Sequence, residues 1–146
     1  MKAFGAVGKL DAAEALRIAR EMADGTGFEF VLMNADLVFG WAHIASAYEH
    51  ARRAFEAGRN SSKTLGTETL LYASGERQIS RAIEKIGVRD GQTRTAIVVI
   101  GNAGAEEGGE LLSALDLKRD DGVLDAHGKD PGAFGISRTE LETVPK

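Results

Sequence analysis

Four cations stand close together near the middle of the chain: Arg52, Arg53, Arg59 and Lys63, offset between residues 51 and 63 only by Glu56, with Asn60, Ser61 and Ser62 among them. Charged forks interleaved with neutral donors suit phosphate and sugar oxygens. Arg77 and Arg81 follow, four residues apart and so on one face of a helix, and closure of the segment between 64 and 75 as a hairpin would bring the two sets together. The arginine bias favours bidentate phosphate recognition and stacking on unpaired bases. Tyr72 offers a stacking surface, whereas Phe55 is assigned to the core. The competing interpretation is a solvated joint between helices, whose cations only complement a helix dipole.

Other chemistries fit the residues poorly. Lys63-Thr64 matches the end of a phosphate-binding loop, but the two glycines that loop needs would fall at Ala57 and Ser62, and the segment follows a helix instead of a strand. Gly101-Asn102-Ala103-Gly104 resembles a dinucleotide-binding turn, yet Glu106 and Glu107 would occupy the first helical turn and repel a phosphate. His43 and His50 lie about 10 Å apart along a helix, too far to share one ion. The acidic run with Asp116, Asp120, Asp121, Asp125, His127 and Asp130 lacks calcium-loop spacing. No Gly-x-Ser-x-Gly elbow occurs. Neither a catalytic residue, a cofactor nor a metal is assigned.

The elements that must position these residues follow from periodicity and caps. A short strand is expected at Ala3–Val7. Asp11 and Glu14 form a capping box opening a helix to about Met22, with Leu16, Ala19, Met22 and Ala23 as its buried stripe. A second strand runs from Phe28 towards Met33. The best-defined helix spans Trp41 to Ala57, where Trp41, Ile44, Tyr48, Ala51 and Phe55 repeat at helical spacing. Gly58 ends it. Two further helices follow without a strand between them, one over Thr64–Ala73 and one from near Glu76 to a Gly87 cap. The β-branched run Thr95–Ile100 reads as a central strand covered on both faces. A helix containing Leu111, Leu112 and Leu115, an irregular Gly/Asp-rich segment over 116–133 and a terminal helix capped by Ser137 and Glu140 complete the chain. The expected fold is α/β: a single domain over residues 1–146, with a small mixed sheet packed with several helices, three of them consecutive and central.

At 146 residues, 43% of them hydrophobic and 27% charged, the chain is large enough for one buried core. The absence of cysteine excludes a disulfide framework and thiolate chemistry. With no long apolar run and no leader-like N-terminus, a soluble cytoplasmic protein without membrane contact is expected. Net charge is -4, but residues 1–100 carry 13 basic and 12 acidic side chains against 5 and 10 in residues 101–146. Nucleic acid would therefore meet a local patch in the first two thirds.

The stretch Arg59-Asn60-Ser61-Ser62-Lys63-Thr64-Leu65-Gly66-Thr67-Glu68-Thr69-Leu70-Leu71-Tyr72-Ala73-Ser74-Gly75-Glu76-Arg77-Gln78-Ile79 resembles the signature of the small accessory subunit of the KEOPS (EKC) complex, a family of kinase-binding proteins. In that family a basic linker with Asn and Lys leads into a Leu-Glu-Leu-Leu-Tyr helix, and a Ser-Gly-x-Arg-Gln-Ile turn opens the next. The likeness extends more loosely from Phe28 to Ser137 and departs over residues 101–133. It implies a non-catalytic adaptor in tRNA threonylcarbamoyladenosine modification, which binds the atypical kinase/ATPase subunit, meets the other KEOPS subunits indirectly and recruits tRNA by its single-stranded 3′ CCA end. It also implies that Asn60, Lys63, Arg77 and Gln78 contact tRNA, with Arg52, Arg53 and Arg59 as supporting phosphate contacts. Arg81 joins them by its place on the Arg77 face, while Glu68, Leu71 and Tyr72 match as framework. The kinase surface is unassigned, with Leu70, Val88, Leu111 and Leu115 as apolar residues to be sorted by exposure. The alternatives are a small metal-dependent enzyme using the acidic C-terminal segment and a regulatory domain that binds a small molecule.

Overall fold

A computed structural model describes residues 1–101, 105–126 and 129. The Asn102–Gly104 turn, His127, Asp130 and the expected Ser137/Glu140 cap lie outside these residues. Four strands form one sheet in the order β2-β3-β1-β4: β1 Lys2–Val7, β2 Phe28–Asn34, β3 Arg94–Gly101 and β4 Lys118–Arg119. Helix α1 (Ala12–Ala23) joins β1 to β2, α2 (Trp41–Glu56), α3 (Leu65–Ser74) and α4 (Ile79–Ile86) come consecutively before β3, and α5 (Ala105–Ala114) precedes β4. Short 3₁₀ turns occupy Ala35–Leu37 and Asp121–Leu124.

The α/β class and the three consecutive central helices are as the sequence indicates, but the strand directions differ from a mixed sheet. Every pairing among the described strands is antiparallel. β3 lies between β1 and β2 and opposes both, so β1 and β2, which point the same way, never touch. Its continuous apolar run reflects cover on both faces, which parallel strands and this central antiparallel strand share.

Alternation along each strand feeds two cores. Val31, Met33, Ala96, Val98 and Ile100 face a layer of α2, α3 and α4 with Ile44, Ala47, Leu70, Leu71, Ala82 and Ile86. Leu32, Ile97, Val99, Phe4 and Ala6 face α1 and α5 through Ala15, Ala19, Leu111 and Leu112. Gly108 lets α5 approach the sheet, since a Cβ there would meet the Phe4 ring at 2.6 Å. The expected α1 stripe is displaced: Ala15 and Ala19 are buried, whereas Leu16 is 43% exposed. On α2, Ile44, Ala47, Ala51 and Ala54 are buried and Trp41 is 58% exposed. In both helices alanines make the closest approach, which leaves the bulky residue beside them on the outside.

The segment after α5 has more order than an irregular loop. Lys118 and Arg119 pair with β1, and Val123 and Leu124 bury the following turn beneath it.

Candidate nucleic-acid interface

The basic linker between α2 and α3 is curled around a buried carboxylate. Glu68 is only 2% exposed. Its oxygens accept hydrogen bonds from the Ser61 N–H at 3.0 and 3.1 Å, from the Ser62 N–H at 2.9 Å and from the Ser62 hydroxyl at 2.8 Å. A carboxylate withdrawn from water needs such donors, and these donors in turn fix the backbone of the loop. Asn60 Nδ2 donates to the Ser62 carbonyl at 2.9 Å, and the Thr64 hydroxyl accepts from the Thr67 N–H at 3.1 Å as the cap of α3. The result is a braced loop from which Arg59, Asn60 and Lys63 project into solvent. The N–H groups that a phosphate loop would offer are already committed to Glu68, which adds a geometric reason against that motif.

The remaining cations divide by position. Arg52 pairs with Glu49 and Glu56, and these carboxylates hold its guanidinium above the usual arginine range. Arg53 is freer: its side chain is 63% exposed, with Glu49 4.0 Å away. Glu49, one turn before Arg52, is thus a second acidic neighbour of this basic run beside Glu56. Arg77 and Gln78 are exposed in the turn before α4, and Arg81 is exposed in its first turn. Since α3 has ten residues, about 15 Å of helix separates the linker from this turn. The structure thus places Arg53, Arg59, Asn60 and Lys63 at one end of the α2–α3 hairpin and Arg77, Gln78 and Arg81 at the other, instead of converging them on one spot.

Two histidines of α2 contact α3 along this span. His43 accepts the Phe39 N–H on Nδ1 at 3.0 Å, so Nε2 carries the proton and donates to the Ala73 carbonyl at 2.8 Å. Burial lowers its pKa. The His50 ring stacks on Tyr72 with centroids 5.5 Å apart and planes 24° from parallel. His50 is exposed, Tyr72 is 42% exposed, and Phe55 is half-buried.

An apolar groove of about 330 Å³ follows the outer edge of β2, walled by Leu16 of α1 on one side and by Leu70, Ile83 and Val88 on the other. Leu16 and Ile83 are 43% and 50% exposed. Of the four apolar residues named from sequence, Leu70 and Leu111 are buried and Val88 and Leu115 half-buried, so the exposed apolar surface of the groove comes from Leu16, expected in the buried stripe of α1, and from Ile83 of α4. A second hollow, about 380 Å³, is lined by Met1, Phe4, Trp41, Leu112 and Arg119.

Among the described residues no group of three or more His, Asp or Glu side chains could hold a metal ion. Asp121 is engaged otherwise: it pairs with Arg119 at 3.0 Å and accepts the Gly5 N–H at 3.1 Å, and the hydrogen bond from Arg119 first, with that from Gly5, holds its carboxyl below the usual range. No helix among the described residues is long and apolar enough to cross a membrane.

An antiparallel α/β fold with a braced basic loop and an apolar groove at its sheet edge has the surfaces of a protein that binds other macromolecules. The chain belongs to the CGI-121 family of kinase-binding proteins, whose family model, described as kinase binding protein CGI-121, matches residues 11–119. It is similar to the regulatory protein Cgi121 of Methanocaldococcus jannaschii, with 37% identity over 65 residues that cover 44% of this chain and 42% of that protein. The aligned segment therefore spans less than half of that relative.

Proposed function

We propose that this chain is a non-catalytic adaptor of the KEOPS complex, which holds the kinase/ATPase subunit on one surface and recruits tRNA through its single-stranded 3′ CCA end on another. The observation that carries the RNA half is the Glu68-braced linker. Three donors, Arg59, Asn60 and Lys63, stand exposed on a loop whose backbone is fixed, which reduces the ordering cost of contacting a flexible strand. Arg53 supports them from the last turn of α2, Arg77, Gln78 and Arg81 extend the contact along α3, and Arg52 acts mainly by orienting its acidic neighbours. The kinase half rests on family membership together with the β2-edge groove, where Leu16 and Ile83 provide an apolar centre and Arg20 and Glu29 a polar rim. The other KEOPS subunits are met through the kinase, and the work is cytoplasmic and needs no cofactor.

The test is binding of intact tRNA and of the same tRNA trimmed of its 3′ CCA, followed by fluorescence anisotropy at two salt concentrations. Binding lost on trimming is expected. Equal binding to both would reduce the basic loop to nonspecific electrostatics and remove the CCA end from the account.

A further inference from the structure

We propose that His50 and Tyr72 form a stacking platform for an unpaired nucleobase, a part of the RNA site lying between its two charged ends. This inference rests on the RNA-recruiting reading above and adds to it an uncharged contact.

The packing of α3 makes Tyr72 conspicuous. Thr69, Leu70, Leu71, Ala73 and Ser74 are all buried around it, whereas Tyr72 keeps 42% of its surface in solvent. The core does not require this ring. Its partner His50 comes from the neighbouring helix and is exposed too, so the stacked pair is a solvent-facing aromatic surface contributed by two helices. The other ring pairs among the described residues are built differently: Phe28–Phe30 meets edge to face, and Phe39–His43 involves two rings tied into the interior.

Arg53 is three residues after His50, hence on the same side of α2, and its exposed guanidinium is placed to take a phosphate next to a stacked base. Along α3, Arg59 and Lys63 precede the helix and Arg77 follows it, so Tyr72 stands between the two charged ends. An aromatic face accepts any base, and a base leaves its stack freely only in single-stranded RNA. The expected ligand is therefore an unpaired nucleotide, whose base continues the His50–Tyr72 stack on its outer face.

Stacking carries no charge, which separates it from the cation contacts. A single-stranded RNA oligonucleotide carrying 2-aminopurine as its terminal base is titrated with the full chain at several salt concentrations. Tyr72→Ala should lower affinity about tenfold and abolish the fluorescence change on binding while leaving the salt slope as in the unsubstituted chain. Tyr72→Phe should keep both, and His50→Ala, a substitution on the other helix, should weaken binding in the same slope-neutral way. Melting temperatures confirm that each variant folds. Unchanged affinity and fluorescence in folded Tyr72→Ala or His50→Ala would overturn the proposal, as would a loss of kinase affinity with RNA binding intact, which would assign the rings to a protein interface. If the unsubstituted chain binds no RNA, the RNA-recruiting reading fails first, and that failure is visible before any variant is compared.

Discussion

The His43 imidazole donates to the Ala73 carbonyl across 2.8 Å, tying the first turn of α2 to the last turn of α3. Because Nδ1 is already an acceptor for Phe39, a second proton would place an N–H against an N–H. Desolvation, the largest cause, accordingly lowers the pKa, and Lys129 opposes the charged form as well. The unfolded chain binds its proton near 6.5 and the folded chain only at lower pH, so the stability supplied by neutral His43 is complete above 6.5 and is lost as pH falls through the folded value. Thermal unfolding of the natural chain and of His43→Gln at pH 7.5 and 5.5 checks this. The natural chain should lose more stability on acidification, and an equal loss in both would assign the effect elsewhere.

Glu68 should matter far more than an ordinary helix carboxylate. Glu68→Gln sets an amide donor among three donors that now converge on a carboxylate, and should cost about 1–3 kcal/mol by urea unfolding. The amides of residues 59–63 should exchange faster in the same variant. A change below about 0.5 kcal/mol would mean that the linker is held by something else.

The cations should separate into ionic contacts with RNA and ion-paired residues. Replacing Lys63 and Arg77 together with Ala should lower the salt slope of tRNA binding by about 1.4, at roughly 0.7 for each single-strand phosphate contact, and the two should act additively because α3 keeps them apart. Arg52→Ala should leave the slope nearly unchanged, since Glu49 and Glu56 already engage that side chain. A larger slope change from Arg52 than from Lys63 would reverse the assignment.

Leu16→Glu combined with Ile83→Glu should weaken the kinase complex at least about tenfold, as charge in the centre of an interface does, yet leave melting within the range of surface substitutions. Calorimetric titration of the kinase/ATPase subunit measures it. Retained affinity in a folded variant would move attention to the Trp41 hollow.

Much of this arrangement is legible in the chain because local chemistry sets it. Asp11 does cap the N–H of Glu14, the helix expected over Thr64–Ala73 forms with Thr64 as its cap, and Asn60, Ser61 and Ser62 do form a polar joint between helices. Residues that depend on long-range approach are not legible in the same way. The Leu16 and Trp41 exposures follow from alanine faces that let helices sit close, and periodicity counted on large side chains is turned away from such faces. The antiparallel insertion of β3 between β1 and β2 is a matter of topology that no local window contains. Likewise the Arg77 pole lies a helix length from Lys63 because α3 is ten residues long, a distance that sequence proximity conceals. The His50–Tyr72 stack joins residues on different helices and has no signature in either.

The most direct test of the adaptor account is a titration of labelled tRNA with the chain alone and with the chain saturated by the kinase/ATPase subunit, the mass of the bound species being read in the same experiment. The account predicts a ternary complex in which tRNA affinity is maintained and in which Leu16→Glu with Ile83→Glu removes the kinase alone. Release of tRNA by the kinase would contradict it, because one surface would then serve both partners.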